Sequence, residues 1–159
     1  MDSLSEVFPP GRSVACGGHL AIRPEAPGLS AARHTIASVA RELAFDDGEV
    51  IDILIAVGEA LSNAYRHGTL DPTSGLIYLG WRFAGDVLTV TVRDDGPGFV
   101  TRGERSSVTG GPDAGGHGIS LMRRSVDEAE FRSEDGARVV LRKRLKVRTS
   151  PGSATDSET

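Results

Sequence analysis

Glu59, Asn63 and His67 stand four residues apart in the run Glu59-Ala60-Leu61-Ser62-Asn63-Ala64-Tyr65-Arg66-His67-Gly68. Four residues are close to one helical turn, so an acid, an amide and an imidazole would stack along one helix face. A carboxylate in that position can orient or deprotonate a hydroxyl. An Asn carbonyl one turn away is a hard oxygen ligand suited to Mg2+. Two further segments add to this inventory. In Asp94-Asp95-Gly96-Pro97-Gly98-Phe99 a carboxylate ends a strand pattern and a glycine turn follows at once. Buried there, Asp94 could accept from an exocyclic amine such as that of adenine, while Gly96 and Gly98 let the backbone pass close to a flat base. Gly115-Gly116-His117-Gly118-Ile119 opens a helix, and the free amides at a positive helix end make an anion site. A base, a metal ligand, an amine acceptor and an anion cradle are what a nucleoside triphosphate requires.

Each segment also has a plainer reading: a solvated helix face, an ordinary Asp-Gly turn, a flexible loop. Asn is a poor choice for an exposed helix interior, where its amide competes with the backbone. Ala56 and Ala60 flank the polar stripe and leave room beside it, where a solvated face would carry lysines and glutamates. Both points favour the functional reading of the helix. His67, near the helix end, suits a cap or packing role equally well. Neither glycine segment has Rossmann spacing, and the chain holds no Gly-x-x-x-x-Gly-Lys-[Ser/Thr] loop, so any triphosphate must be held by another architecture.

The elements that must position these groups follow from periodicity. Residues 19–23 are a short strand closed by Pro24 and Pro27, and Leu29, Ala32, Ile36, Val39, Ala40 and Leu43 mark an amphipathic helix. Phe45-Asp46-Asp47-Gly48 breaks it. A second helix carries Val50, Leu54, Val57, Leu61 and Ala64 on one stripe, ends near Gly68, and turns Glu59, Asn63 and His67 the other way. Strands at 76–83 and 87–94 are joined by Ala84-Gly85-Asp86; Leu88, Val90 and Val92 alternate with Thr89, Thr91 and Arg93, as in a half-buried antiparallel strand. Residues 100–117 form a long polar loop of the kind that is usually functional. Ile119, Met122 and Val126 mark a third helix, and a hairpin of 129–134 and 137–145 turns at Asp135-Gly136. This order does not alternate as a parallel βαβ fold would. It predicts a two-layer α/β sandwich, a mostly antiparallel mixed sheet with three helices on one face.

Composition bounds the function. The 159 residues suit one domain, with a body at 18–147 between loose segments at 1–17 and 148–159. A net charge of −4 argues against nucleic acid as the main partner. No apolar run reaches the roughly 18 residues a membrane span needs. The N-terminus lacks the basic and apolar regions of a signal peptide, and Cys16 stands alone, so a cytoplasmic location is expected.

At Glu59–His67, Asp94-x-Gly96-x-Gly98 and Gly116-x-Gly118 the chain resembles the GHKL ATPase superfamily, which includes gyrase, Hsp90-type chaperones and histidine kinases. Within it, Val57-Gly58-Glu59-Ala60-Leu61-Ser62-Asn63-Ala64 and Gly118-Ile119-Ser120-Leu121-Met122-Arg123-Arg124 are similar to the compact anti-sigma factor serine/threonine kinases. The resemblance implies the Bergerat ATP-binding fold, with ATP and Mg2+ as cofactors. It implies Glu59 as general base, Asn63 as the Mg2+ ligand and Asp94 as the adenine acceptor. Gly96, Gly98 and the adjoining Phe99 would line the base pocket. An ATP lid would span about 100–117, with Gly115, Gly116, His117, Gly118 and Ile119 at the phosphates and Arg66 and His67 nearby. It further implies a homodimer that binds a sigma factor and phosphorylates an anti-sigma antagonist; the alternative is a regulatory module that sequesters a partner without kinase activity. One position departs from the family pattern: Ala137 stands where a Thr usually helps to fix adenine.

Overall fold

The computed structural model describes residues 16–67, 75–96, 116–133 and 136–146. Within them run β1 (Cys16–Ile22), α1 (Ala26–Glu42), α2 (Asp47–His67), β2 (Ile77–Ala84), β3 (Val87–Arg93), α3 (Gly116–Ser125), β4 (Glu128–Arg132) and β5 (Arg138–Arg144). The expectations for Gly98, Phe99 and Gly115, for almost all of the lid, for Asp135 and for most of the two terminal segments lie outside the described residues.

Helix α1 begins three residues earlier than the expected Leu29, because Pro27 lies in its first turn and does not precede it. A first-turn residue has no intrahelical use for its N–H, so proline fits there without loss. The helix ends where Ala44 takes a left-handed φ of 67°. Phe45 N–H then donates to Ala40 O at 3.1 Å and Ala44 N–H to Arg41 O at 3.0 Å, the paired closure of a Schellman turn. Two residues later α2 is already capped. Glu49 N–H donates to Asp46 Oδ1 at 2.8 Å and Asp46 N–H donates to Glu49 Oε2 at 2.9 Å. This reciprocal capping box satisfies two donors at the start of the 21-residue helix.

The sheet order is β1-β2-β3-β5-β4, and all four pairings are antiparallel. The expected mixed character has a simple resolution. The path from β3 through α3 delivers β4 parallel to β3, but the hairpin inserts β5 between them, so these strands never pair directly. Gly85 and Asp86, both at positive φ, form the two-residue β2–β3 turn, and Ala84 pairs with Val87 inside the ladder.

Alternation divides the sheet sharply. Leu79, Val92 and Val139 lie side by side across β2, β3 and β5 and are buried beneath the helices with Ile36, Ile53, Val57 and Leu61. The strand residues of this core come from that face alone. Tyr78, Arg93, Arg138 and Arg132 make the adjacent row on the opposite face. Lys143, at the far end of the inner face, donates to Ser125 O of α3 at 3.0 Å and approaches Asp52 Oδ2 of α2 at 3.4 Å. It ties both helices to β5 and leaves their opposite ends to shape the site.

Candidate nucleotide site

The buried stripe of α2 is Val50, Ile53, Ala56, Val57, Ala60, Leu61 and Ala64. Ile53 takes the place expected of Leu54, which is half-buried. Ala56 and Ala60 were expected beside the polar residues; they are almost wholly buried in the core, at 0% and 1% exposure. Three alanines at this contact let α2 lie close to the sheet. The neighbouring Glu59 and Asn63 are then drawn into the seam with α3 and are half-buried, so the solvated-face reading does not hold.

Gly118, in the first turn of α3, faces both. A Cβ built on it would lie 3.0 Å from Glu59 Oε2 and 3.5 Å from Asn63 Nδ2. A side chain there would crowd the Glu59 carboxylate and come into ordinary contact with the Asn63 amide. Helix α3 therefore opens, at Gly116, His117 and Gly118, beside the acid and the amide of α2. Ile119 packs against the core and holds this turn down, whereas His117 is exposed.

Asp94 follows β3 directly and is 3% exposed. Its Oδ1 accepts from Gly96 N–H at 2.8 Å and from Ala137 N–H at 3.3 Å. Its own N–H donates to Ala137 O at 3.0 Å. The turn reading of Asp94 thus holds, and the carboxylate is also buried at the strand end, the placement the ligand reading needs. Among the described residues both hydrogen bonds to the carboxylate fall on Oδ1. Gly136 makes the approach possible: its φ is +105°, and a Cβ there would collide with Asp94 O. The sequence marked Gly136 as a hairpin turn and missed this contact. An Asp-Gly dipeptide opposite a buried carboxylate was the available signal.

Asp94, Asn63, Ala60, Ala64, Val92, Ala137 and Val139 line a narrow crevice between α2 and the sheet that, as it stands, is too tight to admit a water molecule. Its side walls are hydrophobic, with the Asn63 amide and the Asp94 carboxylate among the lining groups, and a flat ring would enter only if α2 and the sheet ends moved apart. Arg66 and His67 are exposed in the last turn of α2, beyond Asn63. The structure thus brings together Glu59, Asn63, Gly118, Asp94 and Gly96 around the α2–α3 seam and the crevice.

A one-sided antiparallel sandwich with this site between two helices and the strand ends defines a nucleotide-binding domain without a P-loop. The chain belongs to the Histidine kinase-like ATPase domain family, which it matches over residues 22–143. It is 30% identical over 123 residues to the anti-sigma F factor of Clostridium novyi (strain NT), covering 74% of this chain and 86% of that protein. It is 29% identical over 133 residues to the serine-protein kinase RsbW of Bacillus subtilis (strain 168), covering 77% of this chain and 81% of the relative. In fold it is similar to the crystal structure of the RsbU and RsbW domains of Rv1364c from Mycobacterium tuberculosis, with a TM-score of 0.63 and 22% identity. That match covers 82% of this chain but spans only 33% of the other.

No helix among the described residues is long and apolar enough to cross a membrane.

Proposed function

We propose that the protein is an ATP- and Mg2+-dependent serine/threonine protein kinase that binds a sigma factor and phosphorylates an anti-sigma antagonist. The observation that carries this reading is the packing of Glu59 and Asn63 against the bare backbone of Gly118, with Asp94 across the crevice. The names of the relatives, an anti-sigma F factor and a serine-protein kinase, point the same way.

Asp94 Oδ2 accepts from the adenine amine, and Ala60, Ala64 and Val92 hold the ring against water. The amides opening α3 face the phosphates, and Asn63 Oδ1 supplies a hard ligand to Mg2+. Gly98, Phe99 and Gly115 complete the base and phosphate contacts, with the lid at about 100–117. ATP, when bound, would supply the γ-phosphoryl group: a serine or threonine oxygen would bond to the γ-phosphorus as its bond to the bridging oxygen breaks and ADP leaves. Glu59 takes the proton of that hydroxyl at its carboxylate; otherwise the protein's part is mostly positioning and charge neutralisation. Arg66, His67 and His117 lie near enough in sequence to the site to contact phosphate or the incoming protein. The protein works in the cytoplasm as a homodimer.

A phosphotransfer assay with labelled ATP and candidate antagonists tests this reading. A positioned base contributes about 100- to 10,000-fold, so Glu59→Gln should lower transfer by at least about 100-fold while nucleotide binding persists. Unchanged transfer would remove Glu59 from the mechanism. Ala137 supports a second reading, a module that binds its partner without transferring phosphate, because its methyl side chain can offer no hydrogen bond to a base. Titration calorimetry separates the two: no binding at millimolar ATP with Mg2+ would leave only the module.

A further inference from the structure

Arg82, Arg93, Arg132, Arg138, Arg142 and Arg144 all project from the sheet face that the helices leave uncovered. They are a third of the chain's 18 Lys and Arg residues, in a protein whose net charge is −4. The only acids on the five strands are Glu128 and Glu130, and both are already engaged. Arg142 pairs with each at 3.3 Å, and Arg132 also pairs with Glu130. Arg93 lies 4.7 Å over the Tyr78 ring, and its buried Nε has no hydrogen-bond partner. Among the described residues no carboxylate pairs with Arg93, Arg138 or Arg144. The nucleotide site makes no use of this positive surplus.

The arginines are also ordered. Arg138, Val140, Arg142 and Arg144 follow one another along the outer side of β5, with about 6.6 Å between successive positions. Thr91 and Val140, at 7% and 8% exposure, form a low floor between the flanking arginine rows. At the end of the ladder a depression of about 660 Å3 is lined by Arg82, Arg142 and Arg144 with Asp127 and Glu128 at its edge; Glu128 is paired with Arg142, and Asp127 accepts from the Arg144 backbone N–H. Guanidinium groups recognise carboxylates in bidentate pairs, so a line of them at strand spacing matches an extended chain bearing carboxylates.

We infer that this outer sheet face docks an extended acidic segment of a partner protein, gripped by Arg138, Arg142 and Arg144. A second copy of this chain is the poorer occupant, because two such faces would set arginine against arginine. Single-stranded nucleic acid also fits less well. It needs open aromatic faces for stacking, and the Tyr78 ring is covered by Arg93.

Fluorescence anisotropy with a labelled twelve-residue peptide of alternating Glu and Ser tests the inference, at about 50 and about 200 mM salt. Controls are the same peptide with Gln for Glu and a twelve-nucleotide oligo-dT. Wild type should bind the acidic peptide, more weakly at the higher salt, and leave the Gln peptide unbound. The pair Arg138→Glu with Arg144→Glu should weaken binding by at least about tenfold, and Arg138→Gln with Arg144→Gln by several-fold. The Gln pair keeps the test valid where charge reversal impairs folding. No binding at the lower salt, binding indifferent to both pairs, or tighter binding of oligo-dT would overturn the inference. So would a dimer in sedimentation velocity that the substitutions dissolve, since the face would then join two copies. Both pairs should leave ATP affinity unchanged, so this result and the nucleotide reading stand or fall separately.

Discussion

Asp94 is held by the fold at the place where a ligand role is proposed for it. Oδ1 closes the turn onto Gly96 and bridges to Ala137, and that double use fixes the direction in which Oδ2 faces. Ala137 holds the carboxylate through backbone alone and adds a single methyl to the crevice. A hydroxyl at this position would keep both backbone bonds and gain a polar contact with a bound base. Ala137→Thr should therefore tighten ATP binding by up to about tenfold, the effect of one added hydrogen bond of about 1 kcal/mol. Calorimetric titration of the two proteins measures it. Weaker binding in the variant would mean that the branched side chain closes the crevice. Asp94 was legible in the sequence because alternation from Leu88 to Val92 places it at a strand end. Its exact partners were not, since they depend on a hairpin more than forty residues away.

The second helix depends on how its start is built. Asp46 and Glu49 exchange hydrogen bonds across the first turn, and Phe45 and Val50 flank the cap within one core cluster. This junction sets where α2 begins, and so the rotation that brings Glu59 and Asn63 to the α3 seam. Losing an N-cap side chain costs about 1 kcal/mol, within a range of roughly 0.5 to 2. Asp46→Ala should lower stability by that amount in urea denaturation, with an unchanged m-value. An undiminished midpoint would show that Glu49 alone holds the turn. Glu49 is 6% exposed and its Oε1 has no hydrogen-bond partner, so the cap is maintained at some desolvation cost. Both helices and the break between them were legible from apolar spacing. The Asp-x-x-Glu cap was legible in principle, but it was read only as a breaker. The closeness of α2 to the sheet was not, because a buried alanine and a spacing alanine look alike in a sequence.

In the molecule as a whole, the two sheet faces differ: one builds the core and the crevice proposed for nucleotide, the other presents arginines. Period-two alternation identified which strand residues point inward. It could not show that outward residues of four separate strands align into rows, because register is set by the hairpins and by the insertion of β5 between β3 and β4. That alignment has a consequence for acid stability. The Glu130 carboxyl is held below its ordinary value, chiefly by the Arg132 hydrogen bond; burial opposes this, and the Arg142 hydrogen bond and the charges of both arginines add smaller lowering effects. Because its folded pKa is depressed, Glu130 contributes stability that is fully present above the ordinary carboxylate value of about 4.3. That contribution fades as pH falls through the lowered folded value. The partners are a third or more exposed, so solvent and salt screen the effect and it stays small. Glu130→Gln should melt slightly below wild type at pH 7, and the gap should close as both are acidified well below pH 4. Added salt at pH 7 should narrow the same gap. Thermal scans of both proteins across this range supply the check, and a gap that persists at low pH would mean that packing, and not charge, ties Glu130 to the arginines.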